Sequence, residues 1–139
     1  MLSLQDINKV NLTSALLVWV ISMCVTQPAM AELRKFEMTI EEKIVEVSPG
    51  LEAKVWAFNG QVPGPLIHVK EGDDLEVTVH NFTSLNHTVH WHGVYQTNSW
   101  RNDGVPNVTQ KAIEPGESFT YKFVADKPGS LWYHCHVNV

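Results

Sequence analysis

Beyond residue 31, apolar and polar side chains alternate with a period of two, the signature of strands buried on one face. Phe36, Met38 and Ile40 alternate with Glu37, Thr39 and Glu41, and Leu75, Val77 and Val79 alternate with Glu76, Thr78 and His80. Phe119, Tyr121 and Phe123 share one face of a run from Ser118 to Val124. Shorter runs at Val55 to Phe58, Thr88 to His92 and Leu131 to His134 complete the set, and Leu66, Ile67 and Val69 lead into a turn. The runs are separated by Asn59-Gly60, Pro63-Gly64-Pro65, Glu71-Gly72-Asp73, Glu114-Pro115-Gly116-Glu117 and Lys127-Pro128-Gly129, all turn-forming sequences. Asn98 to Asn107, with Asp103-Gly104 and Pro106, reads as a loop. No segment after residue 31 carries a helical period with caps, and there is no internal repeat. Short strands punctuated by Gly and Pro predict an all-β sandwich or barrel.

The first 31 residues follow a different pattern. Lys9 precedes an apolar run from Leu12 to Val25, and Ala29-Met30-Ala31 has the small-x-small form of a cleavage site. The run is shorter than the ~20 residues of a spanning helix, so residues 1–31 read as a secretory signal peptide and the mature chain as starting at Glu32. Cys24 goes with the leader, and residues 32–139 keep one cysteine, Cys135. An exported chain with one cysteine forms no internal disulfide, and a lone thiol in an oxidising compartment calls for an occupant such as a metal. The chain is expected to be periplasmic or secreted, with no membrane partner once the leader is removed. Its 139 residues suit one domain, and its net charge of −5 argues against a nucleic-acid partner.

The chemistry lies in two histidine runs, His87-Thr88-Val89-His90-Trp91-His92-Gly93 and His134-Cys135-His136. Strand alternation puts His90 and His92 on one face and His134 and His136 on one face, with Trp91 and Cys135 opposite. His87 falls opposite His90 if the strand extends that far, or else in the entering loop. Two metal centres joined through the backbone of Cys135 follow. A thiolate with imidazoles suits copper electron transfer, and imidazoles alone suit copper, zinc or iron. A zinc site built from His90, His92 and His134 or His136 is chemically open, but it leaves Cys135 idle.

His-x-x-His-x-His-Gly followed by His-Cys-His resembles the multicopper oxidases. The intervening Val62-Pro63-Gly64-Pro65, Glu71-Gly72-Asp73, Trp91-His92-Gly93, Asp103-Gly104, Thr109-Gln110, Pro115-Gly116-Glu117 and Tyr133-His134 resemble that family's plastocyanin-like N-terminal domain over about residues 33–139. The resemblance implies a cupredoxin-like Greek-key β-sandwich. It implies His90 as a type 2 copper ligand, and His92, His134 and His136 as type 3 ligands. Cys135 and His87 are then type 1 (blue) copper ligands, and Asp103 an acid assisting proton delivery to dioxygen. Blue-copper residues in the first domain resemble the bacterial two-domain enzymes, in which a second cupredoxin domain or neighbouring subunit, arranged as a homotrimer, completes the trinuclear cluster. The implied activity is one-electron oxidation of a reducing substrate coupled to reduction of dioxygen to water.

The family also expects a His and a Met after His-Cys-His, and a final strand. The chain ends at Val139, so residues 32–139 read as a sandwich truncated before its last strand, poorly stable and inactive alone. The rival readings are a mononuclear blue-copper carrier, which leaves His90, His92 and His136 surplus, and a copper nitrite reductase, which has no use for His136. His68 and His80 read as surface or structural residues, and Trp91 and Trp132 as packing. Asn81, Asn86 and Asn107 each head an Asn-x-Thr sequon.

Overall fold

The computed structural model describes residues 30–137. The expected leader falls almost wholly outside them. Among the described residues, six strands form two sheets. β1 (Leu33–Ser48), β2 (Leu51–Phe58), β3 (Asp74–Asn81) and β5 (Ser118–Val124) make a four-stranded sheet in the order β2-β1-β3-β5. β4 (Val89–His92) and β6 (Trp132–Cys135) make a two-stranded sheet. The alternation predicted all of these strands, and its reading as a sandwich holds.

β1 is longer than its apolar alternation suggested. Its first half, to Ile40, pairs parallel with β3, and its second half pairs antiparallel with β2. The hairpin turns at Pro49-Gly50, where Gly50 takes φ 77°. Proline followed by a positive-φ glycine is the combination a type II turn requires, and this Pro-Gly pair was the available signal for the hairpin. Residues 62–70 join no sheet, and the 98–107 loop contains one 3-10 turn, Trp100–Asn102. Among the described residues no helix is long and apolar enough to cross a membrane.

The core lies between the sheets. Met38, Ile40, Leu75, Val77, Val79, Tyr121 and Phe123 from the large sheet meet Val89 and Trp91 of β4, with Ile113 beside them. Trp91 packs at 5.5 Å from Tyr121 and 4.9 Å from Phe123 between ring centroids, so it is the packing residue its alternation predicted. Two buried polar side chains fix the loops at the ends of the sheet. Asp73 accepts hydrogen bonds from the backbone N–H groups of Lys70 (3.0 Å) and Glu32 (3.1 Å), tying the start of β1 to the turn before β3. Asn81 donates to the carbonyls of Leu85 (2.7 Å) and Ile113 (2.9 Å) and accepts from Thr83 N–H (3.0 Å). Its amide is fully buried and spoken for. Of the three sequons, Asn81 is therefore a structural plug, and Asn86 and Asn107 are exposed.

Candidate metal centre

β4 and β6 pair antiparallel in a register that sets His90 against His134 and His92 against Trp132 on one face. The same register sets Val89 against Cys135 and Trp91 against Tyr133 on the other. Because cross-strand partners project to the same side, the pleat of two four-residue strands sorts the ligands. His87 continues the parity of Val89 and Trp91. It exchanges both backbone hydrogen bonds with Ile113, N–H to O at 3.0 Å and O from N–H at 2.7 Å, so the backbone is extended there and the side chain points inward. The expectation that His87 lies opposite His90 is met.

The inward face brings His87 and Cys135 together, with Nδ1 3.1 Å from Sγ. Val137 N–H points at the same sulfur, 3.5 Å away. His87 is buried, and burial lowers its pKa and keeps the imidazole neutral. Trp56 of β2 stands edge-on to it at 5.1 Å between ring centroids. That neighbour comes from a strand 31 positions away in the chain, and nothing in the local pattern marks it.

The outward face gathers the other histidines. Ligand nitrogens of His90, His92 and His134 all lie within 4.8 Å of one another. The His136 ring stands 5.3 Å from that of His90 and 5.8 Å from that of His134. Backbone carbonyls fix which nitrogen faces inward to the cluster. His90 Nδ1 lies 2.6 Å from the Asp103 carbonyl and His134 Nδ1 lies 2.7 Å from the Cys135 carbonyl. Each Nδ1–H donates there, so each Nε2 carries the lone pair. The Asp103 carboxylate lies farther off, 3.5 Å from His90 Nδ1. The backbone of Asp103, not only its acid, holds the imidazole, a role that residue identity alone does not signal.

Gly104 makes that contact possible. It takes φ 81°, and a Cβ there would overlap the Val89 carbonyl, so only glycine lets the 98–107 loop lie flat against β4. Trp132 departs from the packing expected of it. It is 57% exposed and stacks on His134 at 4.3 Å and on His92 at 4.7 Å. His80, by contrast, lies outside the cluster as expected, half-buried and bonded to Glu37 at 2.7 Å.

A family model described as multicopper oxidase matches residues 39–139. Laccase 1 of Metarhizium acridum is 55% identical over 92 residues, which cover 66% of this chain and 15% of that protein. Among solved structures, the multicopper oxidase mgLAC is 67% identical, with a TM-score of 0.75 over 78% of this chain and 34% of that one. A blue copper oxidase from Nitrosomonas europaea is 53% identical, with a TM-score of 0.75 over 77% of this chain and 33% of that one. The chain thus spans about a seventh of this laccase's length and a third of the two solved chains.

The architecture is the cupredoxin β-sandwich. The chain belongs to the multicopper oxidase family.

The residues present suit copper, the metal of that family. A neutral imidazole and a sulfur 3.1 Å apart offer the mixed N/S donor set that copper favours. The outward imidazoles converge with no carboxylate among the three tightest ligands.

Proposed function

We propose that this chain is the N-terminal copper-binding part of an exported multicopper oxidase. Such an enzyme oxidises a reducing substrate one electron at a time and reduces dioxygen to water. Residues 1–31 act as the signal peptide, residues 32–139 belong to the plastocyanin-like domain, and the mature protein is periplasmic or secreted. The observation that carries this reading is the division of ligands across one strand pair. Cys135 meets His87 at 3.1 Å on the inner face, and three imidazoles converge within 4.8 Å on the outer face.

In this reading Cys135 and His87 would hold type 1 copper, His90 would hold type 2 copper, and His92, His134 and His136 would hold type 3 copper. Copper supplies one-electron redox chemistry at both faces. The chain's own residues do the rest. Cys135 is bonded through the backbone to His134 and His136, so a covalent path of a few bonds joins the faces. Burial keeps His87 neutral. The Asp103 and Cys135 carbonyls hold His90 and His134 with Nε2 directed away from the backbone. Asp103 offers a carboxylate at the rim of the outer face, where it holds and passes protons for dioxygen reduction. A second cupredoxin domain or a neighbouring subunit, as in a homotrimer, supplies the remaining ligands. A mononuclear electron carrier would use the inner pair and leave the outer cluster without a task.

The test is made on the complete gene product. Cys135→Ser should abolish the blue absorption and reduce oxygen consumption to background, while the paramagnetic signal of copper on the outer face persists. His134→Ala should also lose oxygen reduction but keep the blue band. A product that retains no copper, or one whose blue colour survives Cys135→Ser, overturns the reading.

A further inference from the structure

Cross-strand register makes the outer face a square of four side chains. Three corners are His90, His134 and His92, and the fourth, opposite His92, is Trp132. The indole plane lies 20° from the His92 ring and 25° from the His134 ring, and the two imidazoles are 41° apart. The imidazole-to-imidazole angle is close to the two tilts combined, so the indole plane falls between them and each ring leans on the same indole. In this arrangement His92 Nδ1 comes within 3.3 Å of His134 Nε2.

A histidine ring turns about a broad torsion with no sharp minimum, so something must set its plane. For His90 that is the Asp103 carbonyl. For His134 the Cys135 carbonyl selects the inward nitrogen. His92 is exposed, and its ring nitrogen Nδ1 meets His134 itself. Its plane is therefore set by aromatic stacking, and the stacking partner is Trp132.

We propose that Trp132 is a positioning residue of the histidine cluster, its indole fixing the ring planes of His92 and His134 so that their nitrogens converge on one ion. This rests on reading the cluster as a metal centre. Because Trp132 is more than half exposed, its substitution leaves the core packing alone. Trp132→Phe keeps a flat ring and Trp132→Leu removes it.

The experiment uses the full chain with Cys135→Ser as background, so that the thiolate does not compete for the probe, Zn(II). In the metal-free state, side-chain NOEs between the His92 and His134 rings should survive Trp132→Phe and vanish in Trp132→Leu. The His90–Gly104 NOE should persist in both. Zn(II) affinity by calorimetry should fall about tenfold in Trp132→Leu, the scale of losing a residue that orients ligands, and largely recover in Trp132→Phe. Retention of both the ring NOEs and the affinity in Trp132→Leu overturns the proposal. Loss of the His90–Gly104 NOE along with the others indicates general collapse of the sheet and also overturns it. If the NOEs behave as expected but no variant binds Zn(II), the positioning role stands and the metal reading fails.

Discussion

At the scale of single residues, the backbone carries as much of the site as the side chains do. Gly104→Ala places a methyl group against the Val89 carbonyl at a φ of 81°. It should cost about 1–3 kcal/mol of stability, the range for strain held at one residue, and it should release His90 from the Asp103 carbonyl. Denaturant unfolding, with the His90 tautomer read by nitrogen NMR, checks both. Asp103→Asn isolates the acid from the carbonyl. The backbone contact to His90 at 2.6 Å is kept, so copper content should not change, whereas oxygen reduction by the complete protein should slow. Equal rates for Asp103→Asn and wild type would leave Asp103 a purely structural residue.

The site's legibility in the sequence also divides at this scale. The facing of His87, His90, His92, His134 and Cys135 follows from a period of two, which needs only sequence positions. Every residue has a carbonyl, so the role of the Asp103 backbone had no signature. Trp56 and Trp132 look alike in composition, yet one touches His87 and the other covers His92 and His134. Their places depend on which strand lies alongside which, and a single strand's alternation holds no such information.

At the scale of elements, β4 is only four residues long and needs outside support. Tyr121, fully buried on β5, supplies it: its hydroxyl oxygen accepts a hydrogen bond from Val89 N–H at 2.8 Å. Tyr121→Phe leaves that donor without its partner in a dry environment, at a cost of about 1–3 kcal/mol. Val89 is adjacent to His90, so this variant should also weaken metal retention at the outer face. Chemical denaturation and metal analysis on the same preparation test the pair of effects. The apolar alternation located β3 and β5 well because each of those strands buries one whole face. It missed the far half of β1, where Ile44 and Val47 are exposed, since that part of the strand is held by pairing with β2 and not by burial.

At the scale of the whole molecule, Asp73 shapes the acid limit of stability, and Tyr121 shapes the alkaline limit together with Tyr133, whose pKa burial raises to about 12. Burial raises the pKa of Tyr121 well above the ordinary phenol value, with hydrogen bonds from Val89 and Gln110 opposing. The folded state therefore keeps this proton longer than the unfolded chain does. Its contribution is complete below pH about 10 and is lost as pH rises further. Asp73 is held below the usual carboxylate range, chiefly by the Lys70 N–H, with the Glu32 N–H assisting against the cost of burial. Its contribution is complete above the ordinary carboxylate pKa and is lost as pH falls through the lowered value. Melting temperatures of the metal-free chain should form a plateau that drops at both ends. Tyr121→Phe should soften the alkaline edge, leaving the part due to Tyr133, and Asp73→Asn should soften the acid edge. Unchanged edges in these variants would assign the drops to other groups.

The pleat that splits His134, Cys135 and His136 between two faces works like a reading frame. A residue inserted or deleted between Trp132 and Cys135 would turn the sulfur out among the imidazoles and push a histidine against Val89, exchanging the two chemistries without changing any ligand. Length changes are tolerable in the turn at Lys127-Pro128-Gly129, before β6 begins. Within the strand, spacing is as much a part of the site as the ligands themselves.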